Sequence, residues 1–421
     1  MVFTESAGLH RAGYAATLMI RPTVPRGFNA WVAATVGSEL GSGVLAFALT
    51  WVASGHGPNV AAAVLTLSVA PSVLLGLLGG AVADRFGPRR VMVLCTLALM
   101  VLSASLAIAV TLWATPPVLL ILTAALIGTI SAFHRPAAGV FPRLFVADNT
   151  LGAAMARVGM ASQLARTIAP PLGGLLIGII ALSGVALLDV LGCVAMLVTL
   201  LMIRPPIEHM TAPQAVTFSG IASGITTARA TKGVPALLAC VAIVAGAVIP
   251  AVLLGIPLAA RERGWSATEA GVIEAGWIAG GLLCGAWFAW RGTSSRAWRP
   301  MAAGPLVVAA GLGLLAISPT WPIAVAGTAL VGVGVVIFTA HVFPTYVLLA
   351  PASMISRFQS LLILVQQAPQ LIINPLIGLF IAATGTGPML AASALVAILA
   401  SVVVASDKTL RTFTTTSPSA N

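Results

Sequence analysis

The sequence predicts an all-α integral membrane protein whose twelve transmembrane helices form two six-helix halves. Apolar residues make up 59% of the 421 residues and charged residues only 7%, whereas a water-soluble domain carries about 25% charged residues. Stretches of about 20 apolar residues, the length needed to cross a bilayer, follow one another with short polar breaks. Segments of the first half also recur in the second. These observations exclude a soluble domain of this size.

The predicted spans follow the apolar stretches in chain order. They lie at 28–54, 61–82, 91–113, 118–141, 157–182, 185–203, 234–259, 267–290, 301–318, 323–349, 358–382 and 386–405. The longest polar break separates six spans from six. The predicted organisation is a cytoplasmic leader at 1–27, an N-terminal half at 28–203, a cytoplasmic linker at 204–233, a C-terminal half at 234–405 and a cytoplasmic tail at 406–421.

The distribution of basic residues predicts the orientation of the spans. The net charge of +11 comes from residues that occupy alternate loops instead of forming one patch, so no nucleic-acid partner is expected. The loops on one side hold only Arg261 and Arg263 as basic residues. Because loops rich in Arg and Lys stay in the cytoplasm, both termini are predicted to be cytoplasmic. High Ala, Gly, Val and Arg with few Lys indicates a bacterium, and therefore its cytoplasmic (inner) membrane.

Three short segments occur twice at an offset of about 200 residues, as expected of a duplicated unit. Membrane proteins built from two repeats place their ligand between them, near the middle of the bilayer. The sequence therefore predicts a site between the halves that opens alternately to either side. The matched segments are Gly79-Gly80 with Gly280-Gly281, 140–142 with 342–344, and 171–174 with 375–378.

The segment that joins spans two and three carries the sharpest local pattern. Its glycines permit close helix approach and a tight turn, and its arginines anchor the loop at the inner leaflet. It resembles the GxxxDRxGRR loop of the major facilitator superfamily, through Gly80, Asp84, Arg85, Gly87, Arg89 and Arg90. Asp84 is predicted to face the N-terminus of span eleven and to latch the halves together, since helix N-termini favour negative charge. The alternative is that Asp84 caps the turn or pairs with Arg85 or Arg89.

Span five contains a proline and glycine element, Ala169, Pro170, Gly173 and Gly174. Proline removes a backbone donor and small residues allow tight packing, so this span is predicted to bend against a neighbour. The element is similar to the GPxxGG pattern of exporters in the same superfamily, with Ala169 in place of its first glycine. Generic packing of proline and glycine in a membrane helix is the alternative.

Span one, from Phe28-Asn29-Ala30-Trp31 to Trp51, resembles the macrolide-efflux and enterobactin-exporter subgroup of that superfamily. The resemblance covers most of the first half and returns weakly near 351–357. It implies efflux of an amphipathic small molecule in exchange for protons. The fold also serves uptake carriers, uncoupled facilitators and lipid flippases, and a non-transporting scaffold or sensor is a further alternative.

Ionisable residues inside a bilayer are costly and usually mark function. Glu39 and Arg166 each lie about ten residues into a span that enters from the cytoplasm, so their depths are similar and we expect them to face each other. Glu39 is a candidate proton carrier, with a static ion pair as the alternative. Glu274 is a second candidate for proton relay or gating. Asp189 shares that role but is expected to snorkel to the interface near the outer end of span six.

Polar residues of spans four and eleven are candidates for the wall of a substrate cavity. Arg135 in span four is suited to bind an anionic group or to carry charge coupling. In span eleven, Gln366, Gln370 and Asn374 recur every four residues and share one helix face. Their alternative role is to hydrogen-bond neighbouring helices together.

Motifs for ATP-driven transport and for enzyme chemistry are absent from the sequence. It has no GxxxxGK[ST] phosphate loop, and its only lysines are Lys232 and Lys408. It has no HExxH segment, nucleophile elbow or Cys/His metal-ligand set. The sequence therefore predicts a transporter driven by a gradient, not an enzyme, with no cofactor or metal. The expected partners are a small amphipathic substrate, protons and membrane lipids, and the expected state is a monomer.

Overall fold

A computed structural model describes residues 26–146, 148–203, 225–292, 294, 296–351 and 354–412, and these are almost entirely helical. Most of the predicted leader, most of the linker and the end of the tail lie outside the described residues, and α1 starts at Arg26 within the predicted leader. The helices are α1 Arg26–Ser54, α2 Pro58–Phe86, α3 Pro88–Trp113, α4 Pro117–Val140, α5 Asp148–Met202, α6 Val234–Leu253, α7 Gly255–Glu262, α8 Ala267–Arg291, α9 Trp298–Ile317, α10 Trp321–Leu349, α11 Ile355–Gln367, α12 Gln370–Thr384, α13 Thr386–Ser406 and α14 Lys408–Thr412.

Eleven helical stretches among the described residues are long and apolar enough to cross a membrane. Two of them combine consecutive helices, α6 with α7 and α11 with α12. Prolines in the first turn start α2, α3 and α4, where their missing N–H costs nothing. Gly87, with φ of 85°, makes the sharp turn from α2 to α3, as the loop pattern predicts.

The longest helix, α5, contains a break. At 1.5 Å per residue, its 55 residues would extend about 80 Å, more than twice the roughly 30 Å hydrocarbon core. Ala181 has φ of 54° and ψ of −176°, which is not helical. We call 148–180 the first arm of α5 and 182–202 its second arm. The helix runs unbroken through Pro170 and Pro171, so the interruption lies at Ala181 and not at the prolines.

The repeat seen in the sequence is also present in the packing. A Cβ added to Gly79 of α2 would lie 2.1 Å from the Ala132 carbonyl oxygen of α4. A Cβ added to Gly280 of α8 would lie 2.1 Å from the Ala329 carbonyl oxygen of α10. Each half therefore brings its second and fourth spans into backbone contact through the equivalent glycine, as expected of a duplicated unit.

The two halves meet at one end of the bundle, through helices that correspond to each other in the repeat. The first arm of α5 meets α8, where a Cβ on Gly174 would lie 2.2 Å from the Ala267 carbonyl oxygen. Helix α12 meets α2, where a Cβ on Gly378 would lie 2.6 Å from the Cβ of Ala62. We call this the contacting end, and the end that carries the turn at Gly87 the opposite end.

Candidate functional site between the two halves

Glu39 of α1 and Arg166 of the first arm of α5 come together, as their similar predicted depths suggest. The Arg166 Nε lies 3.9 Å from the Glu39 Oε2, which is an ion-pair distance but too long for a hydrogen bond. The Arg166 side chain is 68% exposed and that of Glu39 is 34% exposed. The Oε2 atom itself is buried and has no hydrogen-bond partner. The pair is therefore loose, and either group is free to take another partner.

Arg135 of α4 adds a third charge to this location. Its guanidinium is within electrostatic reach of both Arg166 and Glu39. The three side chains come from three helices of the N-terminal half and leave two positive charges against one negative charge. Unpaired charge of this kind is expensive in a bilayer unless water or a charged ligand reaches it. Arg135 is exposed, which fits an aqueous space.

The exposure of Arg166 shows where that space begins. Gly174 and Pro170 lie on the face of the first arm that touches α8. Arg166 lies one turn further along the same face and is exposed. The halves therefore separate about one turn beyond their contact, toward the opposite end. The charge cluster lies where the space between them starts.

Glu274 of α8 is an ionisable residue of the C-terminal half that lies just beyond the contact between the halves. It lies one turn after Gly271, at which an added Cβ would be 2.3 Å from the Pro170 carbonyl oxygen. Protein encloses most of its side chain. Glu274 has no hydrogen bond or ion pair with any residue that the structure describes.

The prediction that Asp189 reaches the interface is wrong. Its side chain is 1% exposed and lies about 10 Å along the second arm from its start. Ser42 of α1 donates to its Oδ1 at 2.9 Å, and Ser103 of α3 donates to its Oδ2 at 2.6 Å. Both carboxyl oxygens are thus satisfied by helices within the same half. Asp189 joins three helices and is separate from the Glu39 cluster.

The loop at Gly87 does not form a latch in this conformation. Asp84 is exposed, and no described residue bonds to it. The alternative pairings with Arg85 or Arg89 are not observed. Arg89 instead donates to the carbonyl oxygens of Leu200 and Leu201, at 2.9 and 3.0 Å. It therefore caps the C-terminus of the second arm of α5, where carbonyl groups lack helical partners.

The span-five element contacts two helices at once. A Cβ on Gly43 of α1 would lie 2.7 Å from the Ala169 Cβ, and Gly173 packs against Phe47 of the same helix. On the other face, the Thr268 Oγ1 donates to the Gly174 carbonyl oxygen at 3.2 Å. The small residues thus hold the first arm between its own half and the opposite half.

Gln370 and Asn374 of span eleven are buried, so they do not line an open cavity in this conformation. Gln370 is buried and donates to the Gln366 carbonyl oxygen of the preceding turn. Asn374 is fully buried, and neither polar atom of its amide has a hydrogen-bond partner. It lies one turn before Gly378, whose face touches α2. Asn374 therefore adjoins the contact between α12 and α2 with its amide unpaired.

Arg261 is a residue whose role the sequence reasoning missed. It lies in α7, and its guanidinium crosses to the other half. The Nε donates to the Ser54 Oγ at 2.8 Å, and the Nη2 donates to the Trp51 carbonyl oxygen at 2.7 Å. The Cζ also lies 4.3 Å from the centre of the Trp51 ring. The available signals were an arginine just after predicted span seven and a tryptophan near the end of predicted span one.

Two similar helical halves around a charged internal site define a membrane transporter. The chain belongs to the Major Facilitator Superfamily, whose family model matches residues 31–373. It is accordingly a transporter and not an enzyme. No curated protein matches the chain.

Solved structures share the fold at low sequence identity. A POT family transporter in complex with 5-aminolevulinic acid is 14% identical, with 92% of this chain and 97% of that chain covered and a TM-score of 0.70. A POT family transporter in complex with a thioalcohol conjugated peptide is 14% identical, with coverages of 90% and 96% and a TM-score of 0.68. A bacterial homologue of the human lysosomal transporter Spinster, inward-facing and unoccupied, is 13% identical, with coverages of 93% and 96% and a TM-score of 0.63.

Proposed function

We propose that the protein is a proton-coupled secondary active transporter that exports amphipathic small molecules by alternating access. The observation that carries the proposal is the loose Glu39–Arg166 pair, beside Arg135, where the space between the halves begins. The Glu39 carboxylate, 3.9 Å from Arg166, can bind a proton when the site is open to one side of the membrane and pair with the arginine when the site is open to the other side. Such a group couples a proton gradient to a change of conformation.

The proposed topology has twelve spans with both termini in the cytoplasm. Each arm of α5 is long enough to cross a bilayer, which turns eleven helical stretches into twelve spans. The arginine-rich loops then all lie on the cytoplasmic side. The opposite end of the bundle is the cytoplasmic end, so the conformation described here is the one open to the cytoplasm. We place the protein in a bacterial cytoplasmic membrane as a monomer.

We propose export instead of uptake because of two features of the N-terminal half. Its span-one resemblance to the macrolide-efflux and enterobactin-exporter subgroup supports this direction. The element from Ala169 to Gly174 supports it too, since it packs against both α1 and α8. The apolar character of the spans and the charged cluster together suit a substrate with an apolar body and a polar group.

The test is transport in proteoliposomes with an imposed pH gradient and a panel of amphiphilic dyes. We expect dye and protons to move in opposite directions, and Glu39→Gln to abolish accumulation driven by the gradient while downhill exchange continues. Glu269→Gln is the matched control, because Glu269 completes a capping box with Ser266 at the start of α8 and glutamine serves that box as well. Movement of dye with protons would make the protein an uptake carrier. Full proton-driven export by the Glu39→Gln variant would show that Glu39 is not the proton carrier.

A further inference from the structure

The contact between the first arm of α5 and α8 fixes the register of two antiparallel helices. Gly174 meets Ala267, and one turn along, Pro170 meets Gly271. These are backbone contacts, with the Thr268 Oγ1 donating to the Gly174 carbonyl oxygen between them. Helices packed this closely leave little freedom for one to slide along the other. The levels of residues beyond the contact therefore follow from helix geometry.

Arg166 and Glu274 are at the same level, one turn beyond the contact. Arg166 precedes Pro170 by four residues and Glu274 follows Gly271 by three, which correspond to about 6 and about 4.5 Å along the two axes. Both positions continue the faces that touch, because residues three or four apart lie on one side of a helix. A guanidinium and a carboxyl from opposite halves thus flank the point where the halves separate.

We propose that Arg166 exchanges carboxylate partners during the transport cycle, pairing with Glu39 in its own half in this conformation and with Glu274 across the interface when the halves close at this level. The exchange rests on the proposed proton coupling and assigns its second carboxylate. In the present conformation Arg166 is 3.9 Å from Glu39, and Glu274 has no partner among the described residues. Arg135, within electrostatic reach of Glu39, takes over that carboxylate when Arg166 leaves it.

The surroundings of Glu274 leave Arg166 as its charged partner. Helix α10, which packs on α8, presents the uncharged Thr328 near this level, where it donates to the Ile273 carbonyl oxygen. The titratable His341 of α10 accepts from the Ser294 N–H at the opposite end. On the other side, Arg261 and Arg263 near the end of α7 are engaged at the contacting end. On the first arm of α5, Arg166 lies at this level, whereas Arg157 lies nine residues nearer the opposite end.

The exchange gives conformation a defined dependence on pH. An unpaired carboxylate enclosed by protein is costly, so Glu274 carries a proton while it is unpaired. Pairing with Arg166 requires the ionised form, so loss of the proton favours the closed arrangement. Acid therefore favours the conformation described here, and alkali favours closure at the opposite end. This direction fits an exporter, in which the protonated carrier returns to face the cytoplasm.

The experiment measures the distance between the halves as a function of pH. Spin labels replace Phe86 of α2 and Trp290 of α8, both exposed at the opposite end, in a variant whose four cysteines are alanine. Double electron–electron resonance in lipid nanodiscs from about pH 5 to about pH 9 spans the range in which a perturbed carboxyl titrates. We expect the long-distance population to fall as pH rises, about tenfold relative to the short one per unit of pKa difference between the two conformations.

Substitutions distinguish the exchange of partners from a purely structural role of Arg166 and Glu274. Glu274→Gln should keep the long distance at every pH, and Arg166→Gln should flatten the response, whereas Arg166→Lys should restore it in part and Glu269→Gln should leave it unchanged. The double variant should behave as either single one. Thermal unfolding of each variant checks that it is folded. If Arg166→Gln does not fold, Arg166→Lys takes its place in the comparison.

The outcomes distinguish this inference from the proposed function. A wild-type response that survives in Glu274→Gln would overturn the partner exchange even if proteoliposomes show proton-coupled export. A wild-type distance that does not change with pH would also overturn it. Loss of the response in both Glu274→Gln and Arg166→Gln would support the exchange. If proteoliposomes then showed no proton flux, the proposed function would fail, and the exchange would remain as a pH-dependent change of partner without coupled transport.

Discussion

Replacing Arg261 with glutamine should open the contacting end. The arginine lies in the C-terminal half and bonds to Ser54 and to the Trp51 carbonyl oxygen in the N-terminal half, with its guanidinium over the Trp51 ring. These contacts exist only while the two halves touch at the contacting end. They therefore stabilise this conformation relative to one in which the ends separate.

The size of the effect follows from these contacts. Hydrogen bonds that involve a charged group contribute about 1.5–3 kcal/mol each, and an exposed cation–π contact about 0.5–1 kcal/mol. Arg261 is exposed, so much of this gain is offset by water that rehydrates the guanidinium when the ends part. We expect a net loss of about 2 kcal/mol, which is about a 30-fold shift in the ratio of the two conformations.

The assay is double electron–electron resonance between labels at His56 and Thr384, which lie in different halves at the contacting end and are exposed. Arg263→Gln is the matched control. Arg263 lies two residues further along the chain but donates to the Ala316 carbonyl oxygen of its own half at 2.8 Å. Arg261→Gln should lengthen the distance and Arg263→Gln should not. Equal effects of the two variants, or no effect of Arg261→Gln, would refute the reasoning.

Three further predictions concern residues at other levels of the bundle. Gly271→Val should prevent closure of the contacting end, because the valine side chain would collide with the Pro170 carbonyl oxygen. Gly178→Val should not, because Gly178 has open space around it. The reactivity of a cysteine introduced at the contacting end measures both effects. Asp189→Asn should lower the free energy of unfolding by about 1–3 kcal/mol, because its amide nitrogen leaves one serine hydroxyl without an acceptor. Thermal unfolding tests this, and full stability combined with lost proton-driven transport would mean that Asp189 couples protons instead. Asp84→Asn should leave the stability of this conformation unchanged, because Asp84 is exposed and no described residue bonds to it. It should still reduce the population of the conformation that is closed at the opposite end, which a distance measurement at that end would detect. An unchanged population would refute the predicted latch role of Asp84.

The sequence alone predicted a large part of the fold. Apolar stretches of membrane-spanning length give the helices, and polar breaks give their ends, because each helix satisfies its own backbone hydrogen bonds within lipid. The turn at Gly87 follows from a residue that adopts positive φ without strain. The meeting of Glu39 and Arg166 was predicted from the constant rise of a helix, because both lie about ten residues into predicted spans that start on the same side.

The environment of a charged residue was harder to predict than the break between its helices. Asp189 was placed near an interface because it lies four residues after the predicted start of span six at 185, whereas the second arm starts at 182 and encloses the side chain. Its serine partners lie 147 and 86 residues away in the chain. A carboxyl that is satisfied by distant hydroxyls is indistinguishable, by sequence pattern, from one that reaches toward water.

Tertiary structure decided which faces of the helices touch. The crossing of Arg261 to Ser54 and the common level of Arg166 and Glu274 depend on two halves that are separate in sequence. Helix periodicity and rise are local and can be read along the chain, so the sequence predicted apolar helices of membrane-spanning length and the similar depths of Glu39 and Arg166. Contact between halves depends on small residues from distant segments fitting together, and only the folded molecule specifies that fit.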